Sequence, residues 1–102
     1  MLFLVHEECT YEQGDHLAAC TNCRLEWLAS VRLLQKQGKV VSHFDFKEGR
    51  GGATVYKVAS RADLDELLAG HAILDCKMER RVHELRNLDE AVDDLSHHIV
   101  TG

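Results

Sequence analysis

Residues 18–28, AACTNCRLEWL, bring two thiols, a guanidinium and a tryptophan into one short stretch. Cys20 and Cys23 have the Cys-x-x-Cys spacing used by dithiol redox centres and by zinc sites. Arg24 follows directly. If the stretch is helical, at about 100° per residue, Leu17, Cys20, Trp27, Leu28, Val31 and Leu34 fall within roughly a third of the circumference. Cys23 then sits at the edge of that stripe, and both cysteines read first as small core residues. A redox pair belongs at a helix N-terminus, where the dipole lowers the thiol pKa, and this pair lies one to two turns inside. A metal site would need two more ligands, from Cys9, Cys76, His6 or His16, and no second Cys-x-x-Cys supports one. A metal- or thiol-dependent protein using Cys20, Cys23 and a third cysteine stays open as the least supported reading.

Arg24 lies in the middle of the apolar stripe. A charge facing a sheet needs a partner or a polar pocket. Two readings follow. In one, the side chain reaches the helix edge or pairs with a strand carboxylate such as Asp45. In the other, it holds an anion in a pocket between helix and sheet, where a guanidinium can grip a carboxylate with two bonds. Glu26 falls on the opposite, solvated side.

Seven histidines are many for this length, yet no His-x-His or His-Glu-x-x-His pattern appears. His6 stands out, because its strand could bring it near the pocket that Arg24 faces. His43 depends on the face its strand presents. Simple alternation puts Val40, Ser42, Phe44 and Phe46 on one face, with Val41, His43 and Asp45 on the other. The phenylalanine face is expected to meet the helices, which leaves His43 toward a subunit interface. EGRGG, residues 48–52, reads as a hairpin tip; a phosphate loop would be followed by a helix.

The elements that position these residues follow from pattern and punctuation. LFLVH, residues 2–6, reads as a short strand. Asp15 can cap a long helix running to about Gln37, and Gly38 stops it. Residues 39–48 and 53–59 form a hairpin around GRGG. Ser60 with Asp63 resembles a capping box for a shorter helix ending at Gly70. Residues 72–85 read as a long strand, although Met78 to Arg81 would also suit a helix. Asn87 with Glu90 opens a C-terminal helix reaching about His98, whose negative end His97 and His98 would suit if protonated. The order is the α+β, ferredoxin-like β-α-β-β-α-β arrangement with an extra C-terminal helix. One antiparallel sheet is expected to carry both main helices on one face. Its other face is apolar enough to predict a homodimer.

The chain has 102 residues, enough for one domain over 1–102, with a core at 1–85 and a C-terminal helix and tail at 86–102. The formal net charge is −5 and the basic residues are scattered, which argues against a nucleic-acid partner. No segment approaches the roughly 18 apolar residues of a membrane span. MLFLVHEEC lacks a basic n-region and a long apolar h-region, so no signal peptide is predicted. Four cysteines without an export signal lead to the expectation of reduced thiols in the cytoplasm.

Three stretches together resemble the muconolactone delta-isomerase family. They are MLFLVH at the start; Arg24 through LQKQGK and on to a strand with Phe44; and GRGGATVYKVASRADLDELLAG, which contains Tyr56. The resemblance covers roughly residues 1–85. It implies a ferredoxin-like fold that pairs through its sheets into a dimeric α/β barrel and can build larger rings. It also implies cofactor-free movement of a C=C bond in an unsaturated lactone by proton removal and return, with no metal. Arg24 matches the family's helix arginine. Phe44 stands where tryptophan is usual, and His6 where many members have a basic residue. Trp27 stands where an acid is usual, and GHAILD replaces a proline-rich run. On this reading Arg24 anchors a substrate anion, His6 carries the proton, and Trp27, Phe44 and Tyr56 shape the pocket. The alternative is a ligand-binding or structural dimer of the same fold without catalysis.

Overall fold

The computed structural model describes residues 1–9, 17–48, 51–70 and 78–101. Its elements are β1 (Leu2–Cys9), α1 (Leu17–Lys36), β2 (Val40–Asp45), β3 (Gly51–Lys57), α2 (Arg61–Gly70), β4 (Met78–Leu85) and α3 (Leu88–Thr101). The four strands make one antiparallel sheet in the order β2-β3-β1-β4. This is the expected β-α-β-β-α-β order with a helix added. β1 runs past the expected residue 6 because it is central: Glu8 pairs with Gly51 on one side and Glu79 on the other. The expected cap Asp15, the turn at 49–50 and the first part of the expected strand at 72–85 lie outside the described residues.

Local punctuation sets the helix ends. Gly38 has φ 78°, a left-handed conformation that suits glycine. It lets Lys39 donate to the Leu34 carbonyl at 2.9 Å and Gly38 to the Gln35 carbonyl at 3.1 Å, which closes α1 in a Schellman motif. Ser60 accepts from the Asp63 backbone N–H at 3.2 Å and caps α2. Asn87 and Glu90 exchange two bonds at the start of α3, at 2.8 and 3.0 Å.

The core lies between the sheet and its two covering helices. Phe3, Val5, Val40 and Tyr56 from the sheet meet Trp27, Val31 and Leu34 from α1 and Leu64 and Leu68 from α2. The α1 stripe is therefore the expected one at those three positions. The core role expected for the Cys20 and Cys23 side chains lies outside what is described.

The alternation expected for β2 does not hold. Val40 pairs with Tyr56, but Ser42, not Val41, pairs with Val55, so β2 carries an irregularity between Val40 and Ser42. One extra residue inverts the faces downstream of it. His43 pairs with Thr54 and Asp45 with Gly52, both on the helix-covered face with Tyr56. Phe44 is turned to the other face and is 73% exposed. His43 therefore faces α1 rather than an interface, and Phe44 does not line the helix side.

Two apolar surfaces stay uncovered within the chain. One is the outer face of the sheet, with Phe44 and Val41 at the β2 edge. The other is α3, where Leu88, Val92, Leu95 and Ile99 recur at helical spacing and are all exposed. Among the described residues, no sheet strand or other helix packs extensively on α3, and the molecule is correspondingly long, 57 × 29 × 22 Å.

An added Cβ at Gly38 meets nothing within 4 Å, so substitution there tests backbone conformation alone. Gly38→Ala is expected to cost about 1 kcal/mol in urea unfolding, with an unchanged m-value.

Candidate functional site

The helix-covered face of the sheet collects its polar side chains at one end. Asp45, Gly52, Glu7 and Arg80 form one row across all four strands. His43, Thr54, Val5 and Val82 form the next row, and Val40, Tyr56, Phe3 and Glu84 the one after. With strands spaced about 4.8 Å apart, Asp45 and Glu7 stand roughly 10 Å apart across Gly52. A Cβ at Gly52 would lie 2.9 Å from Asp45 Oδ1 and 2.8 Å from the Phe44 carbonyl oxygen. Glycine is what leaves room there.

From α1, Arg24 and Trp27 reach down onto this end. Arg24 Nη2 donates to Asp45 Oδ2 at 2.8 Å and to the Gly51 carbonyl at 3.4 Å. The guanidinium carbon lies 5.7 Å from the centre of the Trp27 ring, a cation–π contact. Trp27 in turn meets the edge of His43, with ring centres 5.2 Å apart. His43 bonds Asp45 Oδ1 through Nε2 at 2.8 Å and the Thr54 hydroxyl through Nδ1 at 2.7 Å. Burial pushes the Asp45 carboxyl up, but the bonds and charges of Arg24 and His43 outweigh it and hold Asp45 below its ordinary 3.8.

On the far side of Gly52, Glu7 is 1% exposed and receives Arg80 Nη2 on Oε2 at 3.1 Å. Tyr56 is fully buried. Desolvation first, and the Glu7 charge second, push its hydroxyl up to about 12, against smaller opposing effects of Arg80 and Thr54. Thr54 lies close to that hydroxyl without reaching good hydrogen-bond geometry.

Among the described residues, the buried side-chain atoms without a hydrogen-bond partner are Glu7 Oε1, Arg24 Nη1, Trp27 Nε1 and the Tyr56 hydroxyl. All four belong to residues on or facing the helix-covered side. An unpaired buried polar atom costs roughly 1–3 kcal/mol, so such a group of them marks a place where a polar ligand is favoured. The set offers one anionic acceptor, one cationic donor, one neutral donor and one hydroxyl.

The structure brings together Arg24, Trp27 and Tyr56 of the residues expected from the sequence. It separates His6 from them. Phe3, Val5 and Glu7 point to the helices, so His6 points the other way. There it meets Glu8 at 3.2 Å and the Phe46 ring at 5.1 Å. Phe44 is on that outer face too. Glu7 lies one residue past the strand expected at 2–6, and its alternation with Phe3 and Val5 is the signal in the sequence for its inward face. An open cavity of about 490 Å³ lies elsewhere, lined by Lys39, Lys57, Asp63, Glu66 and Leu67 among others, and holds none of the unpartnered buried atoms.

No family model matches the sequence, and no curated protein matches it. Solved structures do match. Muconolactone isomerase aligns with a TM-score of 0.70 and 20% identity, over 86% of this chain and 92% of that one. This chain has the muconolactone isomerase fold. The 5-chloro-2-hydroxyhydroquinone dehydrochlorinase of Burkholderia phenoliruptrix, in complex with 2,5-dihydroxybenzoquinone, aligns with a TM-score of 0.63 and 12% identity, over 88% and 98% of the two chains. Within the muconolactone isomerase fold, Trp27 fills the place on α1 where the resemblance leads one to look for an acid. Its indole, 3% exposed, packs between Arg24 and His43. GHAILD, the other departure from the pattern, lies almost wholly outside the described residues. Of those residues, no three His, Cys, Asp or Glu side chains gather to hold a metal, and no helix is long and apolar enough to cross a membrane.

The raised Tyr56 hydroxyl has a signature. The unfolded chain ionises tyrosine near 10, so stability from this group is present below pH 10 and is lost as pH rises toward 12. Phenolate absorbance should rise in two steps, and Tyr56→Phe should remove the later one.

Proposed function

We propose that the protein binds a small ring compound carrying a carboxylate, such as an unsaturated lactone, between α1 and the sheet, and shifts a C=C bond in it by cofactor-free proton transfer. The observation that carries this reading is the buried, unpartnered Arg24 Nη1, a charged donor suited to an anionic oxygen. Trp27, whose ring the guanidinium lies over, has a second unpartnered buried donor in Nε1. Arg24 is already half engaged by Asp45, which holds the guanidinium in place for a ligand rather than leaving it to search. Oxygen charge that grows during proton removal is then met by donors in position. Tyr56, held neutral, supplies a hydroxyl. The fold supports the reading, since both neighbours are named for small oxygenated ring compounds. On this assignment residues 1–85 form the ligand-binding unit, which works in the cytoplasm as its reduced thiols suggest.

A homodimer belongs to the same proposal. The outer sheet face, bearing His6 and Phe44, and the stripe of α3 lie on one chain, and a two-fold pair would cover both kinds of surface at once. His6 and Phe44 are then assigned to contacts with the second copy. Val92→Asp on α3 should shift the mass in light scattering from dimer to monomer, and a wild-type monomer would refute the pairing.

The binding assignment is tested with muconolactone as the probe. Wild type should be stabilised against heat and should change the ligand's ultraviolet absorbance on turnover. Arg24→Gln should weaken binding by roughly ten- to a hundredfold, the worth of a hydrogen bond to a charged group. Binding without an absorbance change would favour the ligand-binding reading over the enzyme. No stabilisation at all would remove both.

A further inference from the structure

The proposed reaction needs a group that takes a proton from carbon, and the geometry points to Glu7 as that catalytic base. This inference rests on the ring-binding proposal above. Among the described residues, the other titratable groups around Gly52 and Thr54 are spoken for. Both nitrogens of His43 are engaged, by Thr54 and Asp45. Both oxygens of Asp45 are engaged, by His43 and Arg24. The Tyr56 hydroxyl is held protonated. Arg24 and Arg80 have no basic atom to offer. Glu7 alone among them has a free acceptor, Oε1, on a side chain only 1% exposed.

Its placement suits the task. Arg80 occupies Oε2 and fixes the carboxylate plane, leaving Oε1 as the reactive oxygen. Gly52, the cross-strand neighbour of Glu7, opens space between it and the Arg24–Asp45 pair. A ring seated over Gly52 would have its anionic or carbonyl oxygen toward Arg24 and Trp27 and a ring carbon toward Glu7.

The step balances without an oxidant or a second reactant. Glu7 Oε1 takes a proton from the ring carbon next to the C=C of the unsaturated carbonyl system. The C–H electron pair becomes a new C=C, and the old one shifts so that negative charge rests on the carbonyl oxygen near Arg24 and Trp27. The protonated Glu7 gives a proton to the far carbon of the system, its acidic O–H exchanging with solvent before the transfer. The double bond has moved and the carboxylate is restored.

The test follows muconolactone in D₂O by proton NMR, with thermal stabilisation by the same ligand measured in parallel, for wild type, Glu7→Gln and Glu7→Asp. Wild type should exchange a ring proton. Glu7→Gln should slow exchange by about 10²- to 10⁴-fold while the ligand still stabilises the fold. If Glu7→Gln does not fold, Glu7→Asp keeps the charge that Arg80 needs but withdraws the oxygen by one methylene, and it should slow exchange with binding intact. Exchange at the wild-type rate in either folded variant overturns the role of Glu7 and leaves the ring-binding reading standing. A wild type that binds but does not exchange overturns the base and leaves a binding protein. A wild type that neither binds nor exchanges overturns both.

Discussion

Arg24 meets Asp45 over the helix-covered face of the sheet, and the arrangement around it depends on that contact. A guanidinium brought under a helix loses water and needs a countercharge. Asp45 is the countercharge, and it faces inward only because β2 carries its irregularity between Val40 and Ser42. With regular pairing, His43 and Asp45 would both lie on the outer face and Phe44 would turn inward, leaving Arg24 without an anion from β2. The inversion also brings His43 in, where it ties Asp45 to Thr54. The burial cost to the carboxylate is outweighed by two partners, so the network holds as a charged unit.

A second ion pair, Glu7 with Arg80, stands on the other side of Gly52. The two pairs differ in one respect that matters for chemistry. Asp45 has no free oxygen, whereas Glu7 has one. The first pair is therefore suited to holding a ligand and the second to reacting with it. Asp45 and Glu7 flank β3 at one end of the core that holds Phe3, Val5, Tyr56, Leu64 and Leu68. Such support keeps donor and acceptor positions within narrow limits, as a preorganised site requires.

The outer face and α3 pose a different problem. Helices normally bury their apolar stripe against their own sheet, and α3 leaves Leu88, Val92, Leu95 and Ile99 exposed. Its cap is well formed and its polar contacts are local: Arg86 pairs with Asp94 at 2.8 Å, and His98 Nδ1 hydrogen-bonds the Asp94 backbone carbonyl at 2.7 Å. The helix is thus specified by its own sequence, while its apolar face meets no cover among the described residues.

What the sequence by itself determined was mostly local. Gly38, Ser60 and Asn87 announce helix ends because capping is settled within a few residues. The element order, and with it the fold, follows from those signals and from hydrophobic period. The helical phase of α1 placed Arg24 toward the sheet, since a helix keeps its 3.6-residue repeat whatever it packs on. Tertiary structure decided the partners. The face of His43, Asp45 and Phe44 turned on how β2 registers with β3, a pairing between segments that no count along β2 alone can read. The parity of β1 decided that Glu7, not His6, shares a face with Arg24. Arg80 meets Glu7 across 73 residues of chain. Strand residues alternate by a fixed rule, but a single extra residue reverses it, so a strand's pattern shows that it has two faces and only its neighbours show which one is inside.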